Sequence, residues 1–191
     1  MMKDVMLDLE TIGIGRDAAV VQVAAVRFDP FLQVEGFAGL GAISTPEGSF
    51  NRRISLMSPD LGSIDGPTLR FWLDQPERTR QQVFEHEGSK ELRTVLGEFA
   101  EWYRGAERCW ACPPGFDVRI LNEAYKRLGF EKSPIHFRHE RDFRTLRWIG
   151  NNLKVAEPEF VGKEHDALDD AHHQAGWAIQ VLQRIHGRLP Q

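Results

Sequence analysis

The chain has 191 residues, 41% of them hydrophobic and 27% charged, the balance of a globular protein long enough to bury a substantial core. Lys and Arg total 24 against 28 Asp and Glu; the net charge of −4 excludes a nucleic-acid clamp driven by overall positive charge but leaves room for a local basic groove. No apolar run approaches the ~18 residues of a bilayer span, an acid comes as early as Asp4, and there are two cysteines, so a membrane protein, a secretory leader and a disulfide-stapled scaffold are all disfavoured and a cytoplasmic protein is expected.

In chain order, Val5 to Glu10 reads as a strand, a turn with Gly13 and Gly15 follows, and the β-rich run Val20 to Phe28 ends at the turn signal Asp29-Pro30. Strands this close in sequence suggest an antiparallel hairpin, and Phe50 to Leu56 extends it to a meander. The Gly-rich stretch 33–49 is long for a hairpin loop and reads as an insertion or a flexible flap. Helical periodicity then takes over at Thr68 to Leu73, again after Pro76, and in a longer helix capped by Ser89 that carries Leu92, Val95, Leu96, Phe99, Trp102 and Tyr103. A short strand, Arg108 to Cys112, precedes helices over Phe116 to Leu128, Asp142 to Asn151 and His165 to His186. This order predicts one α/β domain over residues 1–191 with a mixed sheet.

Three acidic segments carry chemistry. Asp8 and Glu10 stand two apart on a strand, so both carboxylates share a face while Leu7 and Leu9 enter the opposite layer. Side by side they repel unless a hard divalent cation sits between them, although acids in this pattern also suit a solvent-facing edge. Asp117 opens a helix after a strand, a place that also favours acids through the helix macrodipole. His165 and Asp170 are five apart, roughly 140° around a continuous helix, so His165 must precede the helix that carries Asp170. Gly162 begins the segment on which it would move over the site; His165 and Asp166 also suit N-terminal capping. The stripe Ala167, Ala171, Ala178 and Leu182 lets that helix approach the sheet closely.

Taken together, Asp8-Leu9-Glu10-Thr11, Phe116-Asp117 with Ile120-Leu121, and His165-x-Ala167-Leu168-x-Asp170-Ala171 resemble the three motifs of the DEDD 3′–5′ exonucleases in their histidine-bearing subclass, DnaQ-like proteins on the ribonuclease H-like fold. The flanks Gly13-Ile14-Gly15 and Val20 to Val26 are similar to a branch with exonuclease VIII-like and phage exonucleases, which also contains bacterial exoribonucleases. Val118 and the Cys112-Pro113-Pro114-Gly115 loop depart from the usual pattern. The resemblance implies a mixed five-stranded sheet flanked by helices. It implies two Mg²⁺ or Mn²⁺ ions on Asp8, Glu10, Asp117 and Asp170, with His165 as general base, since an imidazole titrates near neutral pH. It further implies 5′-mononucleotides released from the 3′ end of single-stranded DNA, with RNA as the alternative substrate, and contacts to the substrate from Thr11, Phe116 and Arg144. Arg144 suits equally a bracing role beside the acids.

The run Phe137 to Trp148 interleaves Arg with aromatics and reads either as a single-strand path or as an amphipathic helix with a solvated face. Cys109 and Cys112, three apart on a strand, point to opposite faces and read as structural thiols. Phe71, Trp72 and Trp102 read first as core, and His172-His173 as surface polar residues.

Overall fold

Along β1 (Asp4–Thr11) Val5, Leu7 and Leu9 enter one hydrophobic layer and Met6 the other, so the pleat aims Asp8 and Glu10 to the Met6 side. The computed structural model describes residues 2–32, 42–45, 48–84 and 87–187. β1 pairs antiparallel with β2 (Val20–Asp29), with Asp8 opposite Ala24 and Glu10 opposite Gln22. The outer edge of β2 is shared by β3 (Ala42–Ile43), opposite Phe28 and Asp29, and β4 (Phe50–Arg53), opposite Gln22 to Ala25. On its other side β1 pairs in parallel with β5 (Arg108–Ala111), and β5 with β6 (Glu140–Asp142). Six strand segments thus fill five positions, the mixed sheet expected.

Both faces are covered. α1 (Gly66–Asp74), α2 (Glu77–Val83), α3 (Leu92–Trp102) and α4 (Asp117–Arg127) bury Trp72, Val83, Leu96, Phe99 and Ile120 against Val5, Leu7 and Leu9. α5 (Phe143–Asn152) and α6 (Ala167–Ile185) cover the other face with Phe143, Leu146, Trp177 and Val181. Ala167, Ala171, Ala175 and Ala178 are fully buried, and this stripe lets α6 lie across β1 and β2. Among the described residues no helix is long and apolar enough to cross a membrane.

Local differences from the sequence reading have physical causes. The expected 33–49 insertion lies largely outside the described residues; within it, Ala42–Ile43 forms β3. α3 starts after Glu91, not Ser89, and the orphan amide of Leu92 donates to Ser58 Oγ at 2.6 Å, a cap supplied from a distant loop. The third strand stops at Arg53 rather than Leu56. β6 is short and polar and offers no alternating apolar signal.

α5 and α6 pack closely at Gly150, where a Cβ would come within 2.5 Å of Val181 Cγ2. Gly150→Ala is expected to lower stability by about 1–3 kcal/mol through overpacking. Thermal unfolding checks this, at roughly 2–4 °C per kcal/mol for a chain of this length. An unchanged Tm would show that this helix pair yields freely.

Candidate active site

The sheet brings its acids together at the C-terminal end of β1. Asp170 sits in the first turn of α6, where its amide donates to the Asp166 carbonyl at 3.0 Å, and the Asp166 side chain caps the helix by accepting from the Leu168 amide at 3.1 Å. One oxygen from each of Asp8, Glu10 and Asp170 lies within 4.8 Å of the others. Asp117, at the start of α4, stands beside this trio rather than within it, and its Oδ1 accepts the Leu9 amide at 3.2 Å.

Burial raises the carboxyl pKa values first, and mutual repulsion adds to it. Asp8 is pushed well up by desolvation and then by Asp117, Glu10 and Asp170, against one hydrogen bond from Gln174. Glu10 is raised by desolvation and by Asp170, Asp166 and Asp117. Asp117 rises to about 7 by burial, opposed by backbone amides and Arg144, and Asp170 rises to about 6 by burial, opposed mainly by His165. The charges acting most strongly on Asp8 and Glu10 are all carboxylates. A converging oxygen set with this excess of negative charge fits a hard divalent cation such as Mg²⁺ or Mn²⁺.

The sign of the linkage gives a prediction. Without metal these acids keep their protons in the folded chain to higher pH than in the unfolded one, from the ordinary 3.8 of Asp to about 6 and about 7 for Asp170 and Asp117. The folded state therefore binds more protons across that window, and its stability falls as pH rises through it. The gain in Tm on adding Mg²⁺ is expected to be larger at pH 7.5 than at pH 5.5, because metal replaces the protons. A gain independent of pH would place the cation elsewhere.

His165 lies outside α6, as the spacing requires, with a backbone φ of +62°. Its ring packs edge-on against Phe71 (5.3 Å, 89°) and Trp72 (6.0 Å, 81°). Trp72 is buried and donates from Nε1 to the Thr11 carbonyl at 2.8 Å, so one aromatic unit joins the end of β1 to His165. His165 and Asp170 line a cleft of ≈470 Å³ that Phe143, Arg147 and Trp177 also line. The segment bearing His165 is hydrogen-bonded to α6 rather than detached from it: the Lys163 amide donates to Asp169 Oδ2 at 2.8 Å.

Of the other expected residues, Thr11 is buried and its hydroxyl donates to the Gly13 carbonyl at 2.7 Å. Phe116 occupies the N-cap position of α4 without a side-chain capping bond and packs partly buried on the core. Arg144 is exposed in the first turn of α5, where its charge lowers the pKa of Asp117 and of the Cys112 thiol. Sequence reasoning missed Gln174, whose Nε2 donates to Asp8 Oδ1 at 3.1 Å. Its signal was position: one helical turn beyond Asp170, it shares that face. His173 is not a surface residue either: it is 12% exposed, lines the cleft and has Nε2 at 3.0 Å from Glu157. Cys109 and Cys112 are free thiols on opposite faces, and burial pushes both pKa values up, as inert cysteines require.

The fold also occurs in solved structures. One is the nuclease domain of 3′hExo, a DEDDh family member, bound to rAMP, at 13% identity and a TM-score of 0.59, covering 95% of this chain and 92% of that one. Another is S. pombe Pop2p in its Mg²⁺- and Mn²⁺-bound form, at 12% identity and a TM-score of 0.52, covering 100% and 86%. At such identities the likeness shows the ribonuclease H-like fold. No individual curated protein matches. The family model that matches the chain defines the class, a hydrolytic 3′–5′ exonuclease. Within that class the chain belongs to the family described as the 3′-5′ exoribonuclease Rv2179c-like domain, whose model matches residues 3–182. That description does not name the exonuclease VIII-like and phage branch to which the flanks are similar, a branch that also contains bacterial exoribonucleases.

Proposed function

We propose that residues 1–191 form one cytoplasmic nuclease domain that removes 5′-mononucleotides from the 3′ end of single-stranded RNA. The observation that carries the reading is the convergence of Asp8, Glu10 and Asp170 within 4.8 Å beside a cleft that His165 also lines. The family description favours RNA over the DNA preference expected from the motifs.

Asp8, Glu10, Asp117 and Asp170 are the residues to hold two Mg²⁺ or Mn²⁺, which when bound would stabilise the charge developing on the phosphoryl oxygens. Gln174 orients Asp8 through its hydrogen bond. A ring nitrogen of His165 accepts the proton of the attacking water, with the Phe71 and Trp72 edges limiting the ring's rotation. Thr11 and Phe116 flank the terminal nucleotide. Arg144 offsets the charge of Asp117 at the site's edge.

Matched, end-labelled RNA and DNA single strands with Mg²⁺ test the proposal. RNA is expected to be degraded at least about tenfold faster, the effect of one hydrogen bond to a 2′-hydroxyl. The products should be 5′-mononucleotides, and a 3′-phosphate should block attack. Faster loss of DNA would return the substrate to the alternative reading; internal cuts or 3′-mononucleotides would remove the exonuclease mode.

A further inference from the structure

We propose that Asp169 is a positioning residue for His165: its carboxylate latches the turn that presents the imidazole to the site. The inference rests on the reading of His165 as general base.

His165 is the third residue of a tight turn closed by the Asp166 amide donating to the Lys163 carbonyl at 3.2 Å. Its φ of +62° is one a residue with a side chain keeps when its surroundings enforce it. One end of the turn is fixed by Asp166, the N-cap of α6. The other end is fixed by Asp169 Oδ2, which accepts the Lys163 amide at 2.8 Å. The residue before Lys163 is shaped around the same carboxylate. Gly162 has φ +134°, and a Cβ there would lie 2.6 Å from both Asp169 Cγ and Oδ2. Glycine suits that position both in backbone conformation and in space.

Asp169 does not belong to the converging carboxylates and does not line the cleft. It acts on the loop rather than on the reacting groups. With the latch closed, the turn backbone is held on one side, and the Phe71 and Trp72 edges hold the ring on the other. Removing the acceptor frees the Lys163 amide and lets the turn relax out of its left-handed conformation, carrying the imidazole away from the water it must deprotonate. The competing explanation is an acid favoured in a first helical turn by the macrodipole, which depends on charge and leaves the rate alone.

Steady-state kinetics of five variants separate these. Asp169→Ala is expected to lower kcat by about 10–100-fold, the scale of a misplaced catalytic group, with KM and the Mg²⁺ concentration for half-maximal rate unchanged. Asp169→Asn removes the charge but keeps an oxygen acceptor, so it should recover most of that loss. Gly162→Ala displaces the carboxylate from the loop side and should reproduce the drop in kcat. Asp169→Ala added to His165→Ala should cost nothing further, because the group it positions is gone. A normal kcat in Asp169→Ala, equal losses in the Ala and Asn variants, or an undiminished cost in the His165→Ala background overturns the inference. A His165→Ala enzyme with near-normal turnover overturns the general-base reading as well. A crippled His165→Ala beside a normal Asp169→Ala overturns the latch alone.

Discussion

Exhaustive chelation is expected to abolish turnover, and Mg²⁺ or Mn²⁺ to restore it. Asp8→Asn is expected to lower kcat on the order of 10³-fold or more, since charge stabilisation worth several kcal/mol is lost at 1.36 kcal/mol per tenfold. The same substitution should stabilise the metal-free protein. Asp8 is crowded by Asp117, Glu10 and Asp170 and is desolvated, so its ionised form is unfavourable in the fold. Each kcal/mol of relief should raise Tm in EDTA by roughly 2–4 °C. An Asn side chain can still accept from Gln174, so the neighbouring hydrogen bond survives. The opposite signs of the two effects are the test. An Asp8→Asn protein that loses both activity and Tm in EDTA would mark Asp8 as structural, and full turnover after chelation would remove the cations from the reaction.

His165→Ala is expected to lower kcat by about 10²–10⁴-fold, the range for loss of a positioned base. The carboxylates remain, so Mg²⁺ activation should keep its midpoint. The carboxylates of the site still take up protons as pH falls, so the variant should remain weaker in acid at limiting Mg²⁺ while its turnover stays low at every pH. Since the side-chain cap of α6 comes from Asp166, the variant should lose little stability. Near-normal turnover would take His165 out of the mechanism.

The acidic strand was legible because a period of two leaves few choices: with Leu7 and Leu9 committed to the core, Asp8 and Glu10 have to share the other face. The displacement of His165 from α6 was legible for a similar geometric reason. What escaped the sequence lies in long-range contacts. Nothing local announces that Ser58 would cap α3, or that Trp72 would donate to the Thr11 carbonyl 61 residues away. Gln174 escaped because an amide is chemically quiet until a partner such as Asp8 is brought to it. The segment after Gly162 read as free to move because its tie is a side chain two positions inside the next helix, invisible to a reading of loops by composition.

The hydrogen bond from Gln174 to Asp8 spans 166 residues of sequence. During synthesis, β1 emerges first and α6 near the last of the described residues, and ribosomes release chain at roughly 5–20 residues per second. For the intervening seconds Asp8 and Glu10 have no partner from Asp170, and the carboxylate cluster is incomplete. The docking of that one helix on β1 and β2 completes the carboxylate cluster. A chain stopped before residue 167 lacks Asp170 and Gln174 and keeps none of that helix's cover over β1 and β2, so it loses one wall of its core together with one member of its carboxylate cluster.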